Sequence, residues 1–251
     1  MKKILGIDVG GTKIAAALVD PTGNLTELKI ESTSQNNLVD QLINLMVSYQ
    51  GYEAIGLALP GQVLKDGTVV KLANIPAFKS TNLKELLENK FKMPVMVVND
   101  AKAFAFAEAV YGSGKDSKCV AGVILGTGIG VGLVIDKEIY SGKDGLAGEF
   151  EHITLLDGKM LRDYRHDAGK FETAADAEKY LKILFSMIVL SFNPEIIVLG
   201  GGWSHLPGME EILSEVTINV GGYTNKTPVV ISDLKYPGLL GVALLVLNSK
   251  E

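Results

Sequence analysis

Cysteine is almost absent from this chain of 251 residues: Cys119 is the only one, so no disulfide can form within it. It heads the apolar run CVAGVIL and reads as a small buried side chain. Histidine is nearly as scarce, with three residues, and there is a single tryptophan. No long basic run exists and the net charge is −5, which argues against nucleic acid as the main partner. No apolar stretch is long enough to span a bilayer. The longest, at 183–192 and 239–247, fall short; after MKKILGI the apolar run is cut by Asp8, so no signal peptide is expected. A cytoplasmic, soluble enzyme without a membrane partner is expected. A hydrophobic fraction of 47% provides for a substantial core, and the length allows two lobes or one large α/β domain.

Glycine, by contrast, is abundant, with 28 residues. Two glycine-rich segments are copies of one design. ILGIDVGGTKIAAALVD (4–20) and VILGTGIGVGLVID (123–136) align without a gap at an offset of 116, placing Gly6 on Gly122, Gly10 on Gly126 and Asp20 on Asp136. Each reads as strand, glycine turn and strand, since apolar β-branched runs bound residues that tolerate positive φ. The second copy has a dinucleotide-like glycine spacing, but that fingerprint must open a helix, and here a strand follows. A P-loop fails too: the glycine required before Gly114-Lys115 is Ala109. An ordinary hairpin would also use such turns. The duplication favours phosphate binding, because glycine turns expose backbone N–H groups to oxyanions. The chemical asymmetry is Asp8, which faces Ile124 in the second copy.

Between these hairpins, strands alternate with helices. Leu38, Leu42, Leu45 and Met46 are spaced for a helix over 37–49. EAIGLALPG is a buried strand ended by Pro60-Gly61, NLKELLENKF a helix, PVMVVND a strand and AKAFAFAEAVYG a helix stopped by Gly112 and Gly114. One apolar helix follows from about Thr173 to Phe192, then the strand EIIVLGGG and a final helix in PGLLGVALLVLNSKE. The lobes are expected to divide near 112–118, giving an N-terminal lobe 1–113, a C-terminal lobe 114–235 and a terminal helix 236–251 packing toward the first lobe.

Several segments together resemble one family. Asp8-Val9-Gly10-Gly11-Thr12-Lys13, LPGQV around Pro60-Gly61, Asn74-Ile75-Pro76 and VND (98–100) are similar to its first-lobe motifs. LGTGIGVG, AGEFEH (147–152) and PEIIVLGGG (194–202) are similar to its second-lobe motifs. The family is the ROK group of sugar kinases, within the actin/Hsp70/hexokinase superfamily, and the order of motifs holds across nearly the whole chain. The resemblance implies an α/β fold of two RNase H-like lobes, the actin-like ATPase and sugar kinase fold, with a cleft between them. It implies transfer of phosphate from ATP, with Mg²⁺, to a hexose or amino-sugar hydroxyl, the 6-hydroxyl first. Gly10, Gly11 and Thr12 match one phosphate motif, and Gly126, Thr127 and Gly128 the other. Gly200, Gly201 and Gly202 match the nucleoside turn. Asp8 matches the acid that holds magnesium through water. Gly61, Asn74, Asn99, Glu149, His152 and Glu172 match sugar contacts, a mixture of donors and acceptors that suits a polyol. Asp100 matches the catalytic base, although an aspartate there could also simply cap the helix that follows.

The departures from the family pattern are informative. Its zinc module can be laid on DYRHDAGKFE (163–172), but Asp163, Arg165 and Lys170 stand at the three cysteine positions. No zinc site is expected. Asp163 with Arg165 or Lys170 is expected to tie the same loop by charge. Glu151 replaces the usual glycine beside His152, and only one helix fits between Glu172 and Pro194, so the second lobe is trimmed. A binder that has lost turnover is the alternative, though it would not need Asp8, Asp100 and both phosphate turns. The repressor branch is not expected, as no DNA-binding helices precede Lys3. The sugar and a homodimer both stay open.

Overall fold

The computed structural model describes residues 3–72, 75–126, 128–167, 171–209 and 214–249. The chain packs as two units: Met1–Ala107 with Ser141–Leu146 and Lys235–Glu251, and Glu108–Tyr140 with Ala147–Leu234. The division falls inside a helix, and 141–146 returns to the first unit.

Unit 1 is built on five strands in the order β3-β2-β1-β4-β8. These are β1 (Ile4–Val9), β2 (Lys13–Val19), β3 (Leu25–Ser32), β4 (Ala54–Leu59) and β8 (Val95–Asn99). β2 runs antiparallel to β1 and β3, while β4 and β8 extend the sheet in parallel. β5 (Gly61–Val63), β6 (Thr68–Leu72) and β7 (Thr81–Asn82) form a small separate sheet. Helix α1 (Leu38–Val47) buries the four apolar residues its spacing predicts, Leu38, Leu42, Leu45 and Met46. With Leu83 and Leu87 of α2 (Leu83–Phe91) they join Leu5, Ile7 and Leu57 in one core. A second cluster joins Ala58 of β4, Ala103 of α3 (Asp100–Val110) and Val242 of the C-terminal helix. That helix, α6 (Pro237–Asn248), is apolar nearly all round, as a helix buried on most sides must be.

Unit 2 repeats the plan with six strands, β11-β10-β9-β12-β14-β13. β9 (Cys119–Leu125) and β10 (Ile129–Ile135) are the second hairpin, extended by β11 (Glu138–Ile139). β12 (Ile196–Gly200) and β14 (Tyr223–Ile231) add in parallel, and β13 (Glu215–Val220) closes the edge. Read from β9 outward, the first strands match β1 and its neighbours in order and direction. The hairpins differ by one residue: four residues (10–13) lie between the paired Val9 and Ile14, but three (126–128) between Leu125 and Ile129. The gapless match of the sequence therefore ends at the turn, because the second turn is tighter. Helices α4 (Leu161–Asp167) and α5 (Ala174–Phe192) complete the unit, with Leu181, Leu184, Phe185 and Ile188 of α5 in its core. Among the described residues no helix is long and apolar enough to cross a membrane.

Candidate active site

In unit 1 the expected residues collect where the parallel strands β1, β4 and β8 end, the edge at which open α/β sheets bind ligands. β1 delivers Asp8 and the turn at Gly10, Gly11 and Thr12. The Gly10 N–H closes the turn on the Lys13 carbonyl at 2.8 Å. The carbonyls of Gly10, Gly11 and Thr12 are taken up by Thr33 Oγ1, Gln35 Nε2 and the Thr33 N–H at 2.8–3.0 Å. Asp8 lies beside the first turn of α6. A Cβ on Gly238 would stand 2.6 Å from its Oδ2, so only glycine leaves room for the carboxylate. The surrounding protein desolvates Asp8 and pushes its carboxyl up to about 6, while the positive charge of Lys13 pulls it down. A desolvated carboxylate of this kind fits a divalent cation, which would restore the favourable charge it lost with its hydration.

β4 leads through Pro60 to Gly61, the first residue of β5, whose φ of 125° is open to glycine alone, and its carbonyl accepts a hydrogen bond from Asn99 Nδ2 at 3.0 Å. Asn99 Oδ1 in turn accepts from the Lys102 N–H at 3.2 Å. Asn99 is thus the residue that caps α3. Asp100 follows as the first helical residue, with its Oδ1 on the Ala101 N–H at 2.8 Å. The capping role that an aspartate before Ala101 could have filled belongs to its neighbour. One residue was not anticipated. Lys102 is 4% exposed, and its ammonium donates to the Gly145 carbonyl of the 141–146 segment. The available signal was a single charge in the otherwise apolar run AKAFAFA. Asn74 lies outside the described residues.

In unit 2 three segments converge. β9 ends at Leu125, and the Gly126 N–H closes a tight turn on the Gly128 carbonyl at 3.0 Å; Thr127 lies outside the described residues. On the adjacent strand, Gly200 of β12 pairs with Ile124. Gly201, at φ 86°, is pressed so close to the Leu125 carbonyl that a Cβ would collide with it. The turns matched by motif to nucleoside and phosphate are therefore neighbours. Gly202 opens a short 3-10 turn, Gly202–His205, tied back by Ser204 Oγ on the Gly201 carbonyl at 2.7 Å.

The third segment is AGEFEH. Gly148, at φ 98°, abuts the Val131 carbonyl of β10, where a side chain would collide, and the chain then makes the 3-10 turn Phe150–His152. Phe150 is buried, Glu149 is partly exposed and His152 is exposed, with His152 Nε2 3.7 Å from Glu149 Oε2. That is an ion pair when the imidazole is protonated. Glu151 does not disrupt this turn: its Oε1 accepts from the Tyr180 hydroxyl of α5 at 3.2 Å. Glu172 is exposed just before α5, and its N–H donates to Asp176 Oδ2 at 3.3 Å. Its neighbour Phe171 is buried against Tyr180 and Trp203, with ring centroids 6.2 and 5.0 Å apart.

The stretch that was laid on a zinc module departs from the expected loop. Residues 161–167 are helical. Asp163 Oδ2 accepts from the Met160 N–H at 2.8 Å, and its Oδ1 is 3.8 Å from Arg162 Nε. Among the described residues its ionic neighbour is Arg162, and the carboxylate, in the first turn of the helix, takes up one of the open N–H groups there. The Arg165 side chain and all of Lys170 lie outside the described residues. Among the described residues no three His, Cys, Asp or Glu groups converge as a metal-binding cluster.

A model described as the ROK family matches residues 4–171. The N-acetylgalactosamine kinase AgaK of Shewanella sp. (strain ANA-3) is 32% identical over 264 residues, covering 83% of this chain and 83% of the relative. The glucokinase of Streptomyces coelicolor is 36% identical over 162 residues, 62% of this chain and 51% of its own. The crystal structure of an inorganic polyphosphate/ATP-glucomannokinase from Arthrobacter sp. strain KM superposes with a TM-score of 0.75 at 25% identity, covering 99% of both chains. The family model takes in more than half of the sequence, and the paired hairpins and strand ends are those that the motifs implied: the chain belongs to the ROK family.

Proposed function

We propose that this ATP-dependent sugar kinase phosphorylates the 6-hydroxyl of a hexose or amino sugar, with Asp100 accepting the hydroxyl proton. Phosphoryl transfer asks a protein mainly for positioning and for neutralisation of charge, plus one carboxylate to orient and deprotonate the acceptor. The observation that carries the reading is the grouping of Asp8, the Gly10–Thr12 turn, Gly61, Asn99 and Asp100 at the ends of neighbouring parallel strands, with Asn99 as the helix cap. Asn74, Asn99, Glu149, His152 and Glu172 are assigned to the sugar, with Gly61 approaching it through backbone. Gly10, Gly11 and Thr12 and Gly126, Thr127 and Gly128 are assigned to phosphates, and Gly200 to Gly202 to the nucleoside. Asp8 would hold magnesium through water, and the ion would supply neutralisation of the phosphate charge. The substrate class follows relatives named for N-acetylgalactosamine and glucose.

The test is ADP release with ATP and magnesium across glucose, mannose, N-acetylmannosamine, N-acetylglucosamine, N-acetylgalactosamine, fructose and allose, with NMR of the product. Turnover of at least one sugar, phosphorylated at its 6-position, is expected. Sugar binding without turnover on any of them would instead support the non-catalytic binder.

A further inference from the structure

Glu151 holds a position that none of the assigned roles uses. It sits in the 3-10 turn between Glu149 and His152, and its two carboxylate oxygens face different neighbours. Oε1 accepts from the Tyr180 hydroxyl at 3.2 Å. Oε2 lies over the second phosphate turn, 3.8 Å from the point where a Cβ on Gly128 would stand, which is van der Waals contact. Tyr180 is 6% exposed and packed against Phe171, so the hydroxyl that holds Glu151 is itself fixed. A carboxylate is therefore anchored at the mouth of a turn whose N–H groups are proposed to bind phosphate.

Two anions this close repel each other unless a cation lies between them. Magnesium in nucleotide sites keeps several waters and is held by one or two carboxylates together with the phosphates. We propose that Glu151 contacts, through water, the magnesium carried on the nucleotide phosphates at Gly126–Gly128, with Tyr180 as its positioning residue. The carboxylate then selects the magnesium complex of the nucleotide and disfavours the bare polyphosphate. This rests on the kinase reading above.

The test is calorimetric affinity for adenylyl imidodiphosphate in excess magnesium and in EDTA. The unaltered protein should bind the magnesium complex more tightly. Glu151→Gln should weaken that binding by about 10–100-fold, the usual loss when an outer-shell partner of a metal is removed, and leave the EDTA value unchanged or tighter. Tyr180→Phe should shift the preference in the same direction by less, because the charge remains. It carries the test if Glu151→Gln fails to fold. Equal weakening in both conditions, or no change in either, would overturn the role of Glu151 and leave the kinase reading intact. Failure of the unaltered protein to bind the nucleotide in either condition would remove both.

Discussion

Asn99 and Asp100 divide two jobs that are easily confused. Asn99 closes the open end of α3 through the Lys102 N–H, so Asp100→Asn should leave the cap untouched while removing a proton acceptor. A drop in kcat of about 10²–10⁴ is expected, with sugar affinity by calorimetry near that of the unaltered protein. Turnover within a fewfold of normal would take Asp100 out of the base role. Glu108 offers a test of stability. Its side chain is fully buried and accepts from the Ser113 N–H at 3.1 Å and from the Ser232 hydroxyl. Burial, the largest influence, raises its carboxyl above the ordinary 4.5, against the pull of those two donors. The folded chain then keeps this proton to higher pH than the unfolded chain. The stabilisation is complete below the unfolded value and is lost as pH rises through the folded one. In Glu108→Gln the amide oxygen can still accept from Ser113, so Tm relative to the parent should shift in the variant's favour between pH 4 and pH 7. The placement of Asp8, the glycine turns and Asp100 at strand ends was legible, because each ends or follows a short apolar strand in the sequence. Lys102 was not singled out, because a lone charge in the apolar run AKAFAFA does not say which backbone group its ammonium reaches.

Among the elements, α5 shows what local sequence can specify. Thr173 and Asp176 form a reciprocal capping box, with the Asp176 N–H on Thr173 Oγ1 and the Thr173 N–H on Asp176 Oδ2 at 2.9 Å. Losing the cap in Thr173→Ala should cost about 1 kcal/mol in urea unfolding; a change within error would mean that packing alone holds this helix end. The start at Thr173 and the stop before Asn193-Pro194 were both readable, as was the apolar spacing of α1. The hairpin of β13 and β14 was not expected, and no element was read between Gly202 and Pro237. Gly221-Gly222 is a good turn signal, but β13 is largely exposed, Val220 is 54% exposed and Tyr223 is 71% exposed. EVTINV nevertheless alternates polar and apolar residues, and Val216 and Ile218 pack against the core of unit 2, so the pattern of this strand was present in the sequence. The helix at 161–167 was hidden for another reason: a resemblance to a metal-clamped loop outweighed its own helical propensity.

For the whole molecule, the trimming of the second lobe expected from the sequence bears on the donor. A single helix, α5, lies between Glu172 and Pro194, and the turn at Gly200–Gly202 proposed for the nucleoside would contribute backbone in place of recognising side chains. We expect weak discrimination among ATP, GTP, CTP and UTP, measured as kcat/KM with one sugar, and use of polyphosphate belongs in the same panel. A strong exclusive preference for ATP would count against it. Elemental analysis should find no zinc held at one per chain, since such sites are normally closed by four Cys or His ligands. The two-unit plan was legible because the hairpin recurs, yet the one-residue difference between its turns was not. β2 is buried almost throughout, so its apolar run carries no phase. That difference has a consequence for anyone recombining the halves. By sequence offset Ala15 is matched with Val131, but in the sheets the partner of Asp8 is Ala15 and the partner of Ile124 is Gly130. A graft cut at sequence-aligned positions beyond the turn would turn every residue of the second strand to the opposite face. Only whole hairpins, exchanged from strand start to strand end with their own turns, keep inside and outside where each half needs them.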